Sequence, residues 1–129
     1  MIEITAKKLT ELHKMISDMT GTQSTLRESS LLESAAESAF MTFDGVELYP
    51  SIEEKGARIA CSLISNHPFT DGNKRIGVLF LLTFLTLNDF EPQCSNEDVI
   101  SLGLGAASGE MKYDEVLAWI RKHTVKITP

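Results

Sequence analysis

Apolar residues recur at helical spacing along most of the chain, and that periodicity decides the fold class. Between residues 5 and 20, Leu9, Leu12, Ile16 and Met19 fall three and four positions apart. Such a stripe is what an amphipathic helix turns toward a core, and Gly21 supplies the stop. Ser30-Leu31-Leu32-Glu33 has the form of a capping box, in which hydroxyl and carboxylate satisfy amides of the first turn, so a second helix is expected to about Met41. Thr42 to Pro50 instead alternates apolar and polar residues around Asp44-Gly45. That pattern predicts a short hairpin or flap, the one β-like stretch expected.

Ser51-Ile52-Glu53-Glu54 repeats the capping box and opens a helix through about Asn66, with Ile59, Leu63 and Ile64 inward. Pro68 forbids simple continuation. From Lys74 to about Asn88 the run of Ile, Val, Leu and Phe has few polar interruptions, and a helix apolar on nearly every side belongs inside a bundle. Ser95 can cap a helix through about Ser108, where Gly109 suits a left-handed stop. A last helix, Tyr113 to His123, presents Tyr113, Val116, Leu117 and Ile120 on one face. With no repeat and no linker, residues 1–129 read as one all-α domain of about six helices around a buried central helix, with a short hairpin-like flap.

Composition narrows the function classes. A chain of 129 residues, 43% apolar and 23% charged, can bury a core without disulfides or structural metal. Twelve Lys and Arg against 18 Asp and Glu leave a net charge of −6, which gains nothing from a phosphate backbone, so no nucleic-acid partner is expected. Cys61 and Cys94 have neither the Cys-x-x-Cys pattern nor zinc spacing, which fits a reducing compartment. Met1 to Thr5 lacks the form of a signal peptide, and the most apolar stretch, Ile76 to Leu87, is too short to span a bilayer. The expectation is a cytoplasmic protein with no membrane association.

Chemistry concentrates in His67-Pro68-Phe69-Thr70-Asp71-Gly72-Asn73-Lys74-Arg75, directly before the central helix. Amides at a helix start carry partial positive charge, and Gly72 lets backbone approach a ligand closely, so an anion seat is expected there. Lys74 and Arg75 add two full charges in an otherwise acidic chain. Asp71 is the carboxylate that could hold magnesium beside a phosphate, and His67 can accept a proton near neutral pH. Singly, His67 could end a helix, Asp71 could cap one, and Lys74-Arg75 could be a solvated face. A structural loop has no reason to gather all of them before the most apolar helix.

The segment resembles the signature of the Fic/Doc family, His-x-Phe-x-Asp/Glu-Gly/Ala-Asn-Gly/Lys-Arg, matched at His67, Phe69, Asp71, Gly72, Asn73, Lys74 and Arg75. Leu26-Arg27-Glu28 with Leu31 to Ala35 resembles the family's upstream helix, and Leu48-Tyr49-Pro50 the end of its target-positioning flap. Gly105 to Glu110 and Trp119 resemble the death-on-curing (Doc) branch. The adenylylating branch has Gly where this chain has Lys74, and a second Arg where it has Val78. The resemblance therefore implies a kinase of Doc type that passes the γ-phosphate of ATP to a threonine of elongation factor Tu.

By the same resemblance, His67 would take the proton from the target hydroxyl and Asp71 would bind Mg2+ on the nucleotide. Gly72, Asn73, Lys74 and Arg75 would hold the phosphates, and Phe69 would anchor the loop in the core. Thr42, Phe43, Asp44, Gly45, Val46, Glu47, Leu48 and Tyr49 would form the target-positioning flap. Ser29 to Glu33 is the nearest approach to the family's inhibitory helix, Ser/Thr-x-x-x-Glu-Gly/Asn, but Ser34 follows. Inhibition is then expected from a small antitoxin, a disordered segment of which folds as a helix into a groove. Two alternatives stand: an AMP transferase, and a catalytically silent binding module.

Outside the segment, Glu33 and Glu54 are read as capping-box partners and Cys61 as an inert thiol within a buried helix pattern. His13 and His123 are read as surface residues. Arg27 could touch phosphate or be an exposed loop residue.

Overall fold

A computed structural model describes residues 1–21, 24–70 and 72–127. Six helices follow one another as α1 (Ala6–Thr20), α2 (Ser29–Glu37), α3 (Ile52–Asn66), α4 (Asn73–Leu87), α5 (Asn96–Ser108) and α6 (Tyr113–His123). Two strand pairs accompany them: β1 (Thr42–Phe43) with β2 (Val46–Glu47), and β3 (Phe90–Pro92) with β4 (Thr124–Lys126), both antiparallel. The helical bundle expected from periodicity is the observed architecture. Among the described residues no helix is long and apolar enough to cross a membrane.

Local chemistry accounts for the helix boundaries. Thr5 accepts a hydrogen bond from the Lys8 amide at the start of α1, and Gly21 stops that helix in the left-handed region (φ 68°). The boxes Ser51–Glu54 and Ser95–Asp98 cap α3 and α5, each hydroxyl accepting from the third amide while the carboxylate accepts from the capping residue's own amide. The box expected at Ser30–Glu33 is not formed. Ser30 donates to Glu28 instead (2.9 Å), α2 begins at Ser29, and Glu33 is exposed. That helix also stops at Glu37 and tightens into a 3-10 turn, Ser38–Phe40. The hairpin turns at Asp44 (φ 53°) and Gly45 (φ 79°), the paired left-handed conformation that matches strand twist.

In α1 the buried face is Leu9, His13 and Ser17, four residues apart, whereas Met19 is 82% exposed. The expected stripe is thus rotated by part of a turn, and a polar pair faces inward. Its reason lies in what α1 covers, described below. The pairing of β3 with β4 is a second departure, since the hairpin was expected to be the one β-like stretch. Strands of three residues, one of them containing Pro92, carry too little alternation to be read.

Helix α4 buries Ile76, Phe80, Leu81, Phe84 and Leu85 and packs most extensively on α3. Glycine makes the approach close: a methyl at Gly77 would stand 2.7 Å from Ile64 Cγ1, and one at Gly56 would stand 3.0 Å from a Leu81 methyl. One flank of α4 stays open, with Val78, Leu79 and Leu82 half-buried beside α5. At its far end Asn88 accepts from the Ile2 amide (2.7 Å) and donates to the Ile2 carbonyl (2.9 Å). The Asp89 carbonyl accepts from the Ile127 amide (2.7 Å), so both outer segments are fastened at that end.

Gly77→Ala is expected to destabilise the protein. Overpacking against Ile64 costs roughly 1–3 kcal/mol, against a gain of about 1 kcal/mol in helix propensity. A urea midpoint equal to or above the parent's would contradict the close approach of α3 and α4.

Candidate active site

Residues 67 to 72 join α3 to α4. Asn66 ends α3, and His67 takes a left-handed conformation (φ 49°, ψ 55°) before Pro68. For a residue with a Cβ that conformation costs roughly 1–2 kcal/mol, so other contacts must hold it. The Arg27 guanidinium provides them, donating to the carbonyls of His67 (2.8 Å) and Asn66 (3.2 Å). Arg27 therefore caps the end of α3, where a cation also suits the helix dipole. Arg27 is an exposed loop residue, as one of its two sequence readings has it, and its capping of α3 is an additional role. His67 itself is exposed.

A strap of residues 24–28 lies along the turn. The Arg27 and Glu28 amides donate to the Pro68 carbonyl (2.7 and 3.2 Å), and the Thr70 amide donates to the Thr25 carbonyl (2.9 Å). Leu26 and Phe69 form an antiparallel bridge, and the Thr25 amide donates to Thr70 Oγ1 (3.0 Å). Phe69 is 1% exposed. Its backbone is gripped by the Asn73 side chain, whose Oδ1 accepts from the Phe69 amide and whose Nδ2 donates to the Phe69 carbonyl, both at 3.0 Å. Asn73 is itself buried, so its amide shapes the turn from inside.

The sequence reading of His13 as a surface residue is corrected here. It is 3% exposed, lies flat against Phe69 (centroids 3.6 Å apart, 7° between planes), and has Nε2 3.0 Å from Ser24 Oγ. His123 is also not a plain surface residue: it is half-buried, stacks on Trp119 and bonds the Trp119 carbonyl through Nδ1 (2.8 Å). The periodic signal that could have found His13 is Leu9-His13-Ser17, masked by the more apolar stripe beside it.

Beyond the turn, Gly72 (φ 78°) precedes α4, a conformation glycine adopts without steric cost. Lys74 and Arg75, both exposed, stand on the first turn of α4, which contains no acidic residue. The methylene stem of Lys74 lies beside Gly103 of α5, 3.4 Å from where a methyl there would be. Val78 follows Arg75 by three positions on the same flank, so the cationic zone is one turn deep. Asp71, expected to hold magnesium, lies outside the described residues. Among the described residues no group of three or more His, Cys, Asp and Glu could cage a metal. A magnesium ion carried by a nucleotide needs only one or two protein oxygens.

The flap residues Thr42 to Tyr49 stand at the other end of α3. Lys55, 4% exposed, donates to Glu47 Oε1 (3.2 Å) and to the Tyr49 carbonyl, and Tyr49 sets its ring against Tyr113. From there to His67 runs the length of α3, 15 residues or about 22 Å at the helical rise. The hairpin and the turn are thus joined through α3. On that helix, burial pushes the Cys61 thiol above its usual range, which keeps it protonated and unreactive.

This geometry can be set beside known proteins. A family model described as the Fic/DOC family matches residues 3–85, from before α1 into the last turn of α4. The chain belongs to the Fic/DOC family. Over 63 residues it is 38% identical to a curated protein called toxin Doc from Mycolicibacterium smegmatis, a match that covers 49% of this chain and 48% of that protein. The chain therefore aligns with about half the length of that relative. In this family member His67, Phe69 and Gly72 of the signature lie between α3 and α4, and Asn73, Lys74 and Arg75 lie in the first turn of α4.

Asn73→Ala should leave the Phe69 amide and carbonyl without their partner and cost roughly 2–6 kcal/mol, at about 1–3 kcal/mol for each of the two orphaned groups. Equilibrium denaturation checks this, and a loss below 1 kcal/mol would mean that the turn is held without Asn73.

Proposed function

We propose that this chain is a Doc-type toxin, a protein kinase that transfers the γ-phosphate of ATP to a threonine hydroxyl of a translation factor, elongation factor Tu by resemblance, and so arrests translation. The observation that carries the reading is the make-up of the turn: an exposed histidine at one end and one cationic helical turn, Lys74 and Arg75 without a second arginine at Val78, at the other. Family membership and the likeness to a protein named toxin Doc support it.

In this reading His67 takes the proton from the threonine oxygen as that oxygen bonds to the γ-phosphorus and the bridge to the β-phosphate breaks, leaving ADP and a phosphothreonine. Lys74, Arg75 and the amides opening α4 neutralise charge on the phosphates, with Gly72 allowing close approach. Asn73 contributes by fixing the turn. A magnesium ion, when bound with the nucleotide, would add neutralising charge, and Asp71 is the residue proposed to hold it. The hairpin, with Phe43 and Val46 exposed, is proposed to hold target polypeptide. A segment reaching from α3's start to His67 would need about six or seven extended residues.

A small antitoxin is the proposed inhibitor. Between α4 and α5 lies an apolar groove of about 350 Å³, lined by Val78, Leu82, Val99 and Leu104 and ending at Lys74 and Arg75. An amphipathic helix with an acidic end is complementary to it in both hydrophobicity and charge. Leu104→Asp is expected to leave growth arrest intact and to abolish its relief by a co-expressed cognate antitoxin. Undiminished relief would remove the groove from that interface.

The decisive assay offers elongation factor Tu and ATP labelled at either the α- or the γ-phosphate. Label is expected on the factor from the γ position, and His67→Ala should slow transfer by about 10²–10⁴-fold. Label from the α position alone would make the protein an AMP transferase, and growth arrest unaffected by His67→Ala would make it a silent binding module.

A further inference from the structure

One buried ionisable ring touches the turn and has no part in the proposed reaction. His13 lies in the middle of α1, packed face to face on Phe69. Its Nε2 stands 3.0 Å from Ser24 Oγ, and that hydroxyl stands 3.2 Å from Thr70 Oγ1. A methyl at Gly72 would stand 3.5 Å from the same Nε2. One imidazole thus meets the turn at Phe69, borders it at Gly72 and reaches Thr70 through a hydroxyl.

Packing alone does not call for a histidine here. A phenyl ring could lie on Phe69 equally well and would avoid the cost of taking a polar ring out of water. What the nitrogen adds is direction, because a hydrogen bond fixes the ring in its own plane while the stack fixes only its height. The contacted residues flank the anion seat on its inner side. Gly72 is the last residue before α4, and Thr70 is tied to the strap through the Thr25 amide. Displacement of either moves the first turn of α4, which bears Lys74 and Arg75.

We propose that His13 is a positioning residue for nucleotide phosphates: from α1 it holds the turn, through Phe69, Ser24 and Thr70, at the height where Lys74 and Arg75 meet the triphosphate. This inference rests on the kinase reading. It makes α1 part of the site and gives the buried polar face of α1 its purpose.

The test compares the full-length parent with His13→Phe, which keeps a flat ring and loses the nitrogen, and with Ser24→Ala, which cuts the same chain from a half-buried position. Amide hydrogen exchange is measured across residues 67–75, and steady-state kinetics with ATP and elongation factor Tu. Both variants are expected to keep the parent's helical circular dichroism and to exchange faster at the turn, while α3 and α6 exchange as in the parent. The KM for ATP should rise about tenfold, with the KM for elongation factor Tu within about twofold, because the misplacement is confined to the phosphate side. The double variant should be no worse than the poorer single one, since one chain is cut twice.

Unchanged exchange at the turn in a folded variant would overturn the proposal, as would faster exchange throughout the molecule with both KM values rising together. If His13→Phe fails to fold, Ser24→Ala decides by the same readings. A parent that transfers no phosphate sinks the kinase reading instead, while exchange at the turn still decides whether His13 holds it.

Discussion

The turn between α3 and α4 is held rigid while its ends stay in water, and that conflict is resolved at a single residue. Phe69 sinks its ring into the core and surrenders both backbone groups to Asn73, so the turn is nailed at its centre while His67, Lys74 and Arg75 stay exposed at its ends. Everything else around the site follows from keeping Phe69 in place. The strap pairs with its backbone neighbours, α1 covers its ring, and Arg27 closes the carbonyl end of α3. Preorganisation of this kind matters most for phosphoryl transfer, where protein contributes position and charge more than covalent chemistry.

The same anchoring joins the site to the stability of the bundle. Phe69 and α4 belong to one hydrophobic core, and α4 meets α3 with glycine at Gly56 and Gly77 where the helices press together. A helix held so closely cannot tilt without moving its first turn. The backbone that bears the exposed cations inherits that stiffness.

The helices were legible because their signals are local: caps at Ser51 and Ser95, stops at Gly21 and Gly109, and an apolar run that could belong only inside. The nine-residue signature was legible as well, since its residues are contiguous and chemically incongruous with a plain loop. Long-range partners were not. His13, Ser24, Thr25 and Arg27 acquire their roles from a turn some forty or more residues away, and local spacing signals at most the burial of His13, not its partner. A stripe of Leu, Ile and Met in α1 outweighed the polar face that the turn required, because hydrophobicity scores burial and not pairing. Strands β3 and β4, three residues each, found their register only through tertiary contact.

Asn88 and Asp89 gather Ile2 and Ile127 at the end of α4 away from Lys74 and Arg75, a helix length from them. A spectroscopic label at Ile2 or Ile127 would therefore sit a helix length from the first turn of α4 and report on that end of the bundle without crowding the proposed site.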